Sequence, residues 1–286
     1  MPPATTPDSV RLAVDIGGTF TDVVLETPDS RFSAKVLTTK SAPEDGVLDG
    51  MKRALQLAKM EPGQVGLIVH GTTLATNAII ERKGAKTALV TTQGFRDSIE
   101  MAQENRFEQY DIFIEKPEPL VPRTLRFTVP ERVDAKGGVR LVLDEAAVAA
   151  LADTLKKEAV EAVAVGFLHS YANPAHERRA AEILAAALPG VRISLSCEVC
   201  PEVREYERFS TTCANAYVQP LMARYLESLR SRIAAAGFAV SVVDPVLAES
   251  ELHDHVAAAA ASASNFFIGC HPDASVSERR TCSLPS

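Results

Sequence analysis

The sequence predicts an α/β fold in which a mixed sheet opens with a β-hairpin. Residues 11–26 alternate apolar and polar side chains on either side of Gly17-Gly18, which is typical of two antiparallel strands joined by a tight turn. From residue 45 to residue 196, helical and strand-like periodicities then alternate. Hydrophobic residues make up 46% and charged residues 23% of the 286-residue chain, enough to bury a sizeable core.

The predicted elements follow one another in a regular order. After the hairpin, residues 31–39 supply a third strand. Between Asp45 and Met60 the apolar residues follow helical spacing, and Pro62-Gly63 ends that helix. The remaining predicted elements are strand 65–70, helix 73–83, strand 86–91, helix 144–159, strand 162–168, helix 174–187 and strand 191–196.

Several stretches depart from this alternation. Residues 105–139 contain four prolines, and because proline lacks the N–H that a ladder needs, we expect an irregular segment or a β-hairpin there. A long helix is predicted over residues 206–235, with Pro220 as the expected site of a kink. Residues 1–9 are expected to form a disordered leader, and residues 239–286 a disordered or frameshifted tail.

Composition excludes several classes of protein. The net charge is -7 and the basic residues are scattered, whereas a nucleic-acid surface needs clustered lysine and arginine. No apolar run approaches the roughly 20 residues that cross a bilayer, and no signal peptide is recognisable, so we expect a cytoplasmic protein with no membrane partner. The five cysteines lack a repeating spacing, which indicates reduced thiols.

The segment Asp15–Asp22, with the sequence DIGGTFTD, concentrates groups that bind phosphate and metal. Its glycines let backbone amides approach an anion without a Cβ in the way, and its threonines add hydroxyl donors. Magnesium commonly uses one or two carboxylates together with phosphate oxygens, which the two aspartates can supply. The candidates are Asp15 and Asp22 as catalytic residues, Asp15 as the metal ligand, and Gly17, Gly18, Thr19 and Thr21 as ligands of nucleotide phosphates.

Other phosphate motifs do not fit this segment. The chain has no Gly-Lys-Ser/Thr as in a P-loop, and the glycines lack the Gly-x-Gly-x-x-Gly spacing of a dinucleotide fold. The alternative that stays open is a plain Gly-Gly hairpin with surface threonines.

A second polar block follows the predicted strand 65–70. Its donors are placed at the start of a predicted helix, where anions and polarised carbonyls are favoured. The block is a candidate wall for substrate or phosphate, formed by His70, Gly71, Thr72, Thr73 and Asn77. The alternative is that Thr72 or Thr73 only caps the helix, with His70 satisfied in a turn.

Three further groups are weaker candidates. Cys197-x-x-Cys200 could form a redox or metal pair, but no second such pair follows. The spacing of His253, His255, Cys270 and His271 matches no usual zinc pattern. Scattered arginines are more often solvated or paired, although four could line a polar cleft: Arg106, Arg123, Arg132 and Arg208.

The order of these blocks resembles a known family. The octapeptide is similar to the first phosphate hairpin of the actin/hexokinase-like (ribonuclease H-like) ATPase superfold, and the wider chain resembles the hydantoinase A/5-oxoprolinase family within it. The blocks that carry this resemblance are residues 11–25, 70–78, 84–85, 91–97, 105–106, 119–123, 131–132, 198–202, 205–208, 210–212 and 215–218.

The resemblance implies an activity and its cofactors. ATP would phosphorylate the carbonyl oxygen of a cyclic amide such as hydantoin or 5-oxoproline and so prepare the ring for opening, or would activate a ketone for carboxylation. Asp15 would serve Mg²⁺, and Gly17, Gly18, Thr19 and Thr21 would bind the phosphates of ATP. A hydantoinase B-type subunit is the implied protein partner.

The resemblance also predicts a domain division and a truncated subunit. Residues 10–200 would form the N-terminal domain of the family, and residues 201–238 the beginning of a second, incomplete core domain. The superfold clamps its nucleotide between two halves, but no second Asp-x-Gly-Gly-Thr hairpin follows Asp22. Two alternatives remain open: a non-catalytic module that docks a partner subunit, and a sugar or acetate kinase of the same superfold.

Overall fold

A computed structural model describes residues 10–39, 41–102, 110, 112–113 and 117–238 of the chain. The predicted leader, the predicted tail, Arg106 and the cluster of residues 253–271 lie outside the described residues. The chain folds into two compact units, one of residues 10–84 with 218–238 and one of residues 85–217. This division differs from the expected boundary at residue 200, which stays a prediction.

The described elements alternate between strands and helices, as predicted. In chain order they are β1 (Arg11–Ile16), β2 (Phe20–Glu26), β3 (Arg31–Leu37), α1 (Pro43–Ala58), β4 (Leu67–Thr72), α2 (Leu74–Ile80), β5 (Thr87–Thr92), α3 (Ser98–Met101), β6 (Arg126–Val129), β7 (Arg132–Val133), β8 (Val139–Leu141), α4 (Glu145–Lys157), β9 (Ala162–Gly166), α5 (Ala175–Ala187), β10 (Arg192–Leu195), α6 (Ser196–Val199) and α7 (Glu205–Ala235).

The first unit is built on a four-stranded mixed sheet in the order β3-β2-β1-β4. Strand β2 pairs antiparallel with both β1 and β3, whereas β4 runs parallel to β1. The strict alternation of β1 and β2 buries every second side chain against α1 and the final turns of α7. The opposite face of the sheet carries the exposed residues of each strand.

Helix α1 lies very close to this sheet. Gly50 faces Val23 of β2 so tightly that a Cβ at position 50 would stand 2.6 Å from Val23 Cγ2. The helix ends where Lys59 adopts a left-handed conformation and its amide bonds the carbonyls of the last turn. Glycine at position 50 therefore sets the distance between helix and hairpin.

The second unit is built on a four-stranded sheet in the order β10-β9-β5-β6, in which every pair of neighbours is parallel. Strands β5 and β9 are buried along their whole length, as expected for central parallel strands. Helices α4 and α5 pack against each other and contribute to its core. The short antiparallel pair β7-β8 forms a separate hairpin.

Three sequence predictions are corrected by these bounds. Strand β4 continues through Thr72 because it stays paired with β1 as far as Ile16, so Gly71 and Thr72 lie in the strand and not in a turn. Helix α2 is limited to Leu74–Ile80. Within 105–139, residues 126–129 form a strand of the parallel sheet, in addition to the expected hairpin.

The long helix α7 is continuous from Glu205 to Ala235, with Pro220 inside it. Within the described part of the chain, no helix combines the length and the apolar character that a membrane-spanning segment requires.

Candidate functional site

The β1-β2 hairpin turns at Gly18 and Thr19. Ile16 pairs with Thr21, and the Gly17 amide donates to the Phe20 carbonyl at 2.9 Å, so these two residues occupy the centre of the turn. The Gly17 amide is thus already bonded. In the described structure, the Gly18 and Thr19 amides have no acceptor, which leaves them as the free backbone donors of the turn.

Thr38, just after β3, holds the turn in place. Its amide donates to the Thr19 carbonyl and its hydroxyl to the Gly17 carbonyl, both at 2.9 Å. Because the single hydroxyl proton of Thr38 is used on Gly17, the Thr21 hydroxyl, 3.0 Å away, must be the donor to Thr38 Oγ1. Thr38 was not among the residues that the sequence suggested.

Thr21 lies on the covered face of the sheet. Its side chain is fully buried, with neighbours Thr38 and Gly46, whereas Asp15 and Asp22 lie on the exposed face. The alternation of the strand forces this separation, because successive side chains point to opposite faces. The structure therefore does not bring Thr21 together with the two aspartates, and it connects Thr21 to the turn through Thr38.

Asp15 and Asp22 face each other across the β1-β2 pair, but their surroundings differ. Lys35, opposite Asp22 on β3, places its ammonium 2.9 Å from both oxygens of Asp22. No ion pair or hydrogen bond to the Asp15 side chain is found in the described part of the chain. Asp15 is therefore the available carboxylate of the exposed face, while Asp22 is already neutralised.

Part of the second polar block lies next to Asp15. Gly71 is the β4 partner of Asp15, and a Cβ on it would stand 3.5 Å from Asp15 Oδ1. A Cβ on Gly18 would lie 3.7 Å from the Asn77 side-chain nitrogen. The structure thus brings Asp15, Gly18, Gly71 and Asn77 to one edge of the sheet.

Thr73 ties this block to the end of β1. Its amide and hydroxyl both donate to the Ile16 carbonyl, at 3.3 and 3.2 Å, and its hydroxyl accepts a bond from Asn77 Nδ2 at 3.3 Å. Thr73 occupies the position before α2 without capping it through its side chain, and the Leu74 amide bonds the Thr72 hydroxyl instead. The Thr73 side chain therefore does not cap α2, whereas the Thr72 hydroxyl accepts the amide of the first residue of this helix.

His70 lies on the covered face of β4, in the strand that the sequence predicted to end at this residue. The strand continues past it, so alternation directs the ring beneath α7, where Nε2 lies 2.8 Å from the Tyr225 hydroxyl. Burial lowers the pKa of His70 to about 4, and the charge of Asp15 opposes this shift only in part. The imidazole is neutral at physiological pH.

A buried polar network lies at the carboxyl ends of the strands in the second unit, and of its side chains the sequence suggested Arg208 but not Glu177 or Ser196. Glu177 is fully buried and accepts bonds from the Phe167 amide at 2.7 Å, the Ser196 hydroxyl at 2.6 Å and the Cys197 amide at 2.8 Å. Arg208 donates to Ser196 Oγ and to the carbonyl of Phe167. The network closes the loop after β9 over the sheet.

A second group continues this network. Glu131 is buried and accepts bonds from the Thr92 hydroxyl and, at 2.8 Å, from His176 Nδ1. His176 Nδ1 is the hydrogen-bond donor to Glu131, because an ionised carboxylate can only accept hydrogen bonds. These contacts join residues distant in sequence, so no local pattern could have revealed them.

The structure shows the surroundings of the two cysteines and of three of the four arginines that the sequence suggested as weaker candidates. Burial raises the pKa of both Cys197 and Cys200, which makes them poor nucleophiles. Arg123 forms a two-point ion pair with Asp97, Arg132 stacks over the Phe95 ring, and Arg208 belongs to the buried network. In the described residues, no three histidine, cysteine or carboxylate side chains cluster to hold a metal ion.

The exposed edge around Asp15 can therefore do limited but specific chemistry. One free carboxylate and two free amides at a turn suit a phosphate that arrives with its own magnesium ion, because Mg²⁺ keeps several waters and needs few protein ligands. The same residues do not provide a closed protein cage for a metal.

Comparison with known proteins places this geometry in context. The family model of the hydantoinase/oxoprolinase N-terminal region matches residues 11–188. The chain is 38% identical over 228 residues to the caprolactamase subunit alpha of Pseudomonas jessenii, covering 77% of this chain and 32% of that protein. It is 29% identical over 270 residues to the 5-oxoprolinase of Saccharomyces cerevisiae, covering 80% and 21%.

Solved structures show the same fold. The crystal structure of the ATP-dependent caprolactamase superposes with a TM-score of 0.73 at 35% identity, covering 82% of this chain and 34% of that one. A nucleotide-free acetone carboxylase gives a TM-score of 0.73 at 26% identity, covering 80% and 35%. The chain thus spans about a third or less of the length of these proteins, and the expected actin-like α/β fold class is confirmed.

Proposed function

Since the chain belongs to the hydantoinase/oxoprolinase family, we propose that its β1-β2 turn binds the phosphates of ATP in an enzyme that opens cyclic amides. The observation that carries this proposal is the free Asp15 carboxylate beside a turn with two free amides. Relatives described as ATP-dependent or as hydrolysing a lactam support the choice of cofactor and substrate class.

Each residue of the edge has a distinct part in this proposal. Asp15 would hold Mg²⁺, and the amides of Gly18 and Thr19 would donate to phosphate oxygens. Gly17 shapes the turn, while Thr21 and Thr38 position it from the covered face. The Asn77 side chain, next to Gly18, is an additional phosphate or substrate donor, and Gly71 leaves space beside Asp15.

Asp22 has a different part from the one its sequence position suggested. Asp22 forms an ion pair with Lys35. In this proposal Asp22 therefore holds the Lys35 ammonium on the exposed face, close to the incoming phosphates. His70 and Thr72 support the wall from the covered side of β4, where His70 bonds Tyr225.

Bound ATP would supply the phosphoryl group that activates the carbonyl oxygen of a cyclic amide, and Mg²⁺ would neutralise the charge of its phosphates. The protein contributes positioning and neutralisation of charge, as is general in phosphoryl transfer. A hydantoinase B-type subunit would complete the enzyme in the cytoplasm, as relatives named as subunits suggest.

Binding of Mg·ATP to the purified chain tests the nucleotide part of the proposal. We expect Asp15→Asn to weaken Mg·ATP binding at least about tenfold, as loss of a charged ligand would. Asp29→Asn, at an exposed turn of the same sheet, is the matched control and should bind like the native chain. Equal binding by the Asp15 and Asp29 variants would refute the assignment of Asp15.

ATP hydrolysis identifies the substrate class in a protein extended to the full length of its relatives. Caprolactam, 5-oxoproline and hydantoin should each be tried against acetone and acetophenone. Stimulation by a lactam supports the proposal. Stimulation by a ketone alone would instead favour the carboxylase alternative, for which the similarity to acetone carboxylase is the supporting observation.

A further inference from the structure

The outer edge of the second unit holds a groove that the proposed function does not use. It is a depression of about 510 Å³ between the edge strand β6 and helix α4. Strand β6 has β5 on one side and no neighbour on the other among the described strands. An open strand edge beside a helix is the geometry to which an extended peptide can add as a further strand.

The strand side of the groove offers backbone groups for pairing. The Gln93 amide bonds the Val129 carbonyl, which therefore faces β5. Since alternate residues direct their backbone groups to opposite edges, the N–H and C=O of Thr128 face away from β5. The outward amide of Arg126 is bonded within the preceding turn to Arg123. Thr128 is thus the residue that can pair with an added strand.

The helix side of the groove is smooth and largely apolar. Ala147, Ala150, Leu151 and Thr154 line it at the spacing of one helical stripe, while the core-facing stripe of α4 contains Val148, Ala152 and Leu155. The two alanines leave space for the side chains of a neighbouring strand. The helix side of the groove therefore favours a ligand segment with apolar side chains that fit its shape, and it contributes no charge.

One end of the groove is cationic. Arg96 and Arg126 line it, and within the described residues neither Arg96 Nε nor Arg126 Nη1 has a hydrogen-bond acceptor, although both atoms are buried. Asp97 Oδ1 lies 3.8 Å from Arg126 Nη1, beyond hydrogen-bond distance, while Arg126 Nη2 lies 2.7 Å from Glu100 Oε2. Such unsatisfied buried donors are costly, and an added carboxylate would satisfy them.

The charge balance at this end points the same way. Three arginines, at positions 96, 123 and 126, surround the two carboxylates of Asp97 and Glu100. Among the residues that the structure describes, one positive charge of this group is therefore left without a counter-charge. An anionic ligand group at the arginine end would complete the balance.

The direction of the ligand follows from the direction of β6. The Asp144 amide, just before α4, bonds the Pro130 carbonyl just after β6, so α4 begins where β6 ends. Arg126 is the first residue of β6, which places the cationic end at the start of the strand. A peptide running antiparallel to β6 would bring its carboxyl terminus to the two arginines.

We propose that this groove binds the extended carboxyl-terminal tail of a partner protein, which adds antiparallel to β6 and places its terminal carboxylate between Arg96 and Arg126. The Thr128 backbone would bond the tail, and the alanines of α4 would accommodate its side chains. This docking site is independent of the nucleotide site proposed above, and either can fail without the other.

A displayed library of random peptides with free carboxyl termini, selected against the purified 286-residue chain, tests the proposal. The best selected peptide is then synthesised as the acid and as the amide, and its binding is measured by fluorescence anisotropy. We expect the acid to bind at least about tenfold more tightly than the amide, because charge-assisted bonds are lost with the amide. No enriched peptide, or equal affinity of acid and amide, would overturn the proposal.

Two tryptophan substitutions on α4 locate the binding. Ala150→Trp fills the groove, whereas Ala149→Trp adds the same bulk at a neighbouring exposed position outside it. Binding should fall at least about tenfold in the first variant and stay within about twofold in the second. Thermal unfolding of both variants shows whether they fold. Native-like binding by a folded Ala150→Trp would place the peptide elsewhere and refute the proposed groove.

Discussion

The Thr38 hydroxyl donates to the carbonyl of Gly17 at 2.9 Å, although the two residues follow different strands and are 21 positions apart. The Thr38 amide binds the same turn at Thr19. One residue thus fixes both carbonyls that flank Gly18 and so orients the free amides of the turn. Fixed donors bind an anion without the entropic cost of ordering them first.

Removal of this hydroxyl should loosen the turn. We expect Thr38→Val to lower the affinity for Mg·ATP about fivefold and the free energy of unfolding by about 1 kcal/mol, the usual contribution of a hydrogen bond. Titration calorimetry and urea unfolding measure the two effects.

Thr38→Ser serves as the control because it keeps the hydroxyl. It should bind Mg·ATP within about twofold of the native chain. If the serine variant were as weak as the valine variant, loss of the methyl group and not of the hydrogen bond would explain the result, and Thr38 would have no positioning role.

The neutral His70 predicts a dependence of stability on pH. Its pKa is lowered from 6.5 to about 4 in the folded chain, so the unfolded chain binds a proton more readily between these values. Stability is therefore complete above pH 6.5 and falls as the pH is lowered toward 4, by up to about 3 kcal/mol. Urea unfolding at pH 7 and pH 5 measures the loss.

His70→Gln should remove most of this pH dependence, since glutamine keeps a polar side chain but does not titrate. His169→Gln, at a partly exposed loop position of the second unit, is the matched control and should preserve it. An unchanged slope in the His70 variant would show that other groups cause the loss.

The candidate site around Asp15 could be predicted from the sequence to the extent that it is local. The two strands and the turn at Gly18 and Thr19 lie within residues 11–26, and strand alternation already implies that Asp15 and Asp22 share a face that excludes Thr21. The neutralisation of Asp22 by Lys35 depends on the register of a third strand. Thr38 was missed for the same reason, because its contacts require the β3 pairing.

The sequence predicted less accurately those strands whose bounds depend on pairing with a strand that is distant along the chain. The strand was expected to end at His70 because glycine follows it, yet parallel pairing with β1 extends the strand to Thr72. Strand β6 was hidden in a proline-rich stretch because it is short and its partner β5 lies more than 30 residues earlier. Buried pairs such as Glu131 with His176 join separate helices and strands, where neither periodicity nor spacing is informative.

Gly50 should be intolerant of even one methyl group. Alanine is normally the better helix former by about 1 kcal/mol, but here its Cβ would stand 2.6 Å from Val23 Cγ2. We expect Gly50→Ala to lower the free energy of unfolding by about 1–3 kcal/mol, as overpacking does. Urea unfolding measures the change.

A double variant separates overpacking from other effects. Val23→Ala alone removes buried methyl groups and destabilises, but combined with Gly50→Ala it makes room for the new Cβ. The two substitutions together should therefore cost less than the sum of the separate effects. Strict additivity would show that the contact between helix and hairpin is not tight. Asp49→Ala, exposed on the same helix, is the control and should change stability little.

Glu177 should be the most sensitive carboxylate of the second unit. It is fully buried and accepts bonds from the Phe167 amide, the Ser196 hydroxyl and the Cys197 amide. Glu177→Ala would leave these donors without an acceptor and also remove the negative charge near Arg208, at a cost of about 3–5 kcal/mol. Glu177→Gln keeps the shape and one acceptor oxygen, so it should cost less.

Glu182→Ala, on the exposed face of the same helix, is the control. It loses only a surface ion pair with Arg179 and should cost less than about 1 kcal/mol. Urea unfolding of the three variants measures this order, and a Glu177→Ala chain as stable as the Glu182→Ala chain would mean that the buried network does not hold the loop after β9.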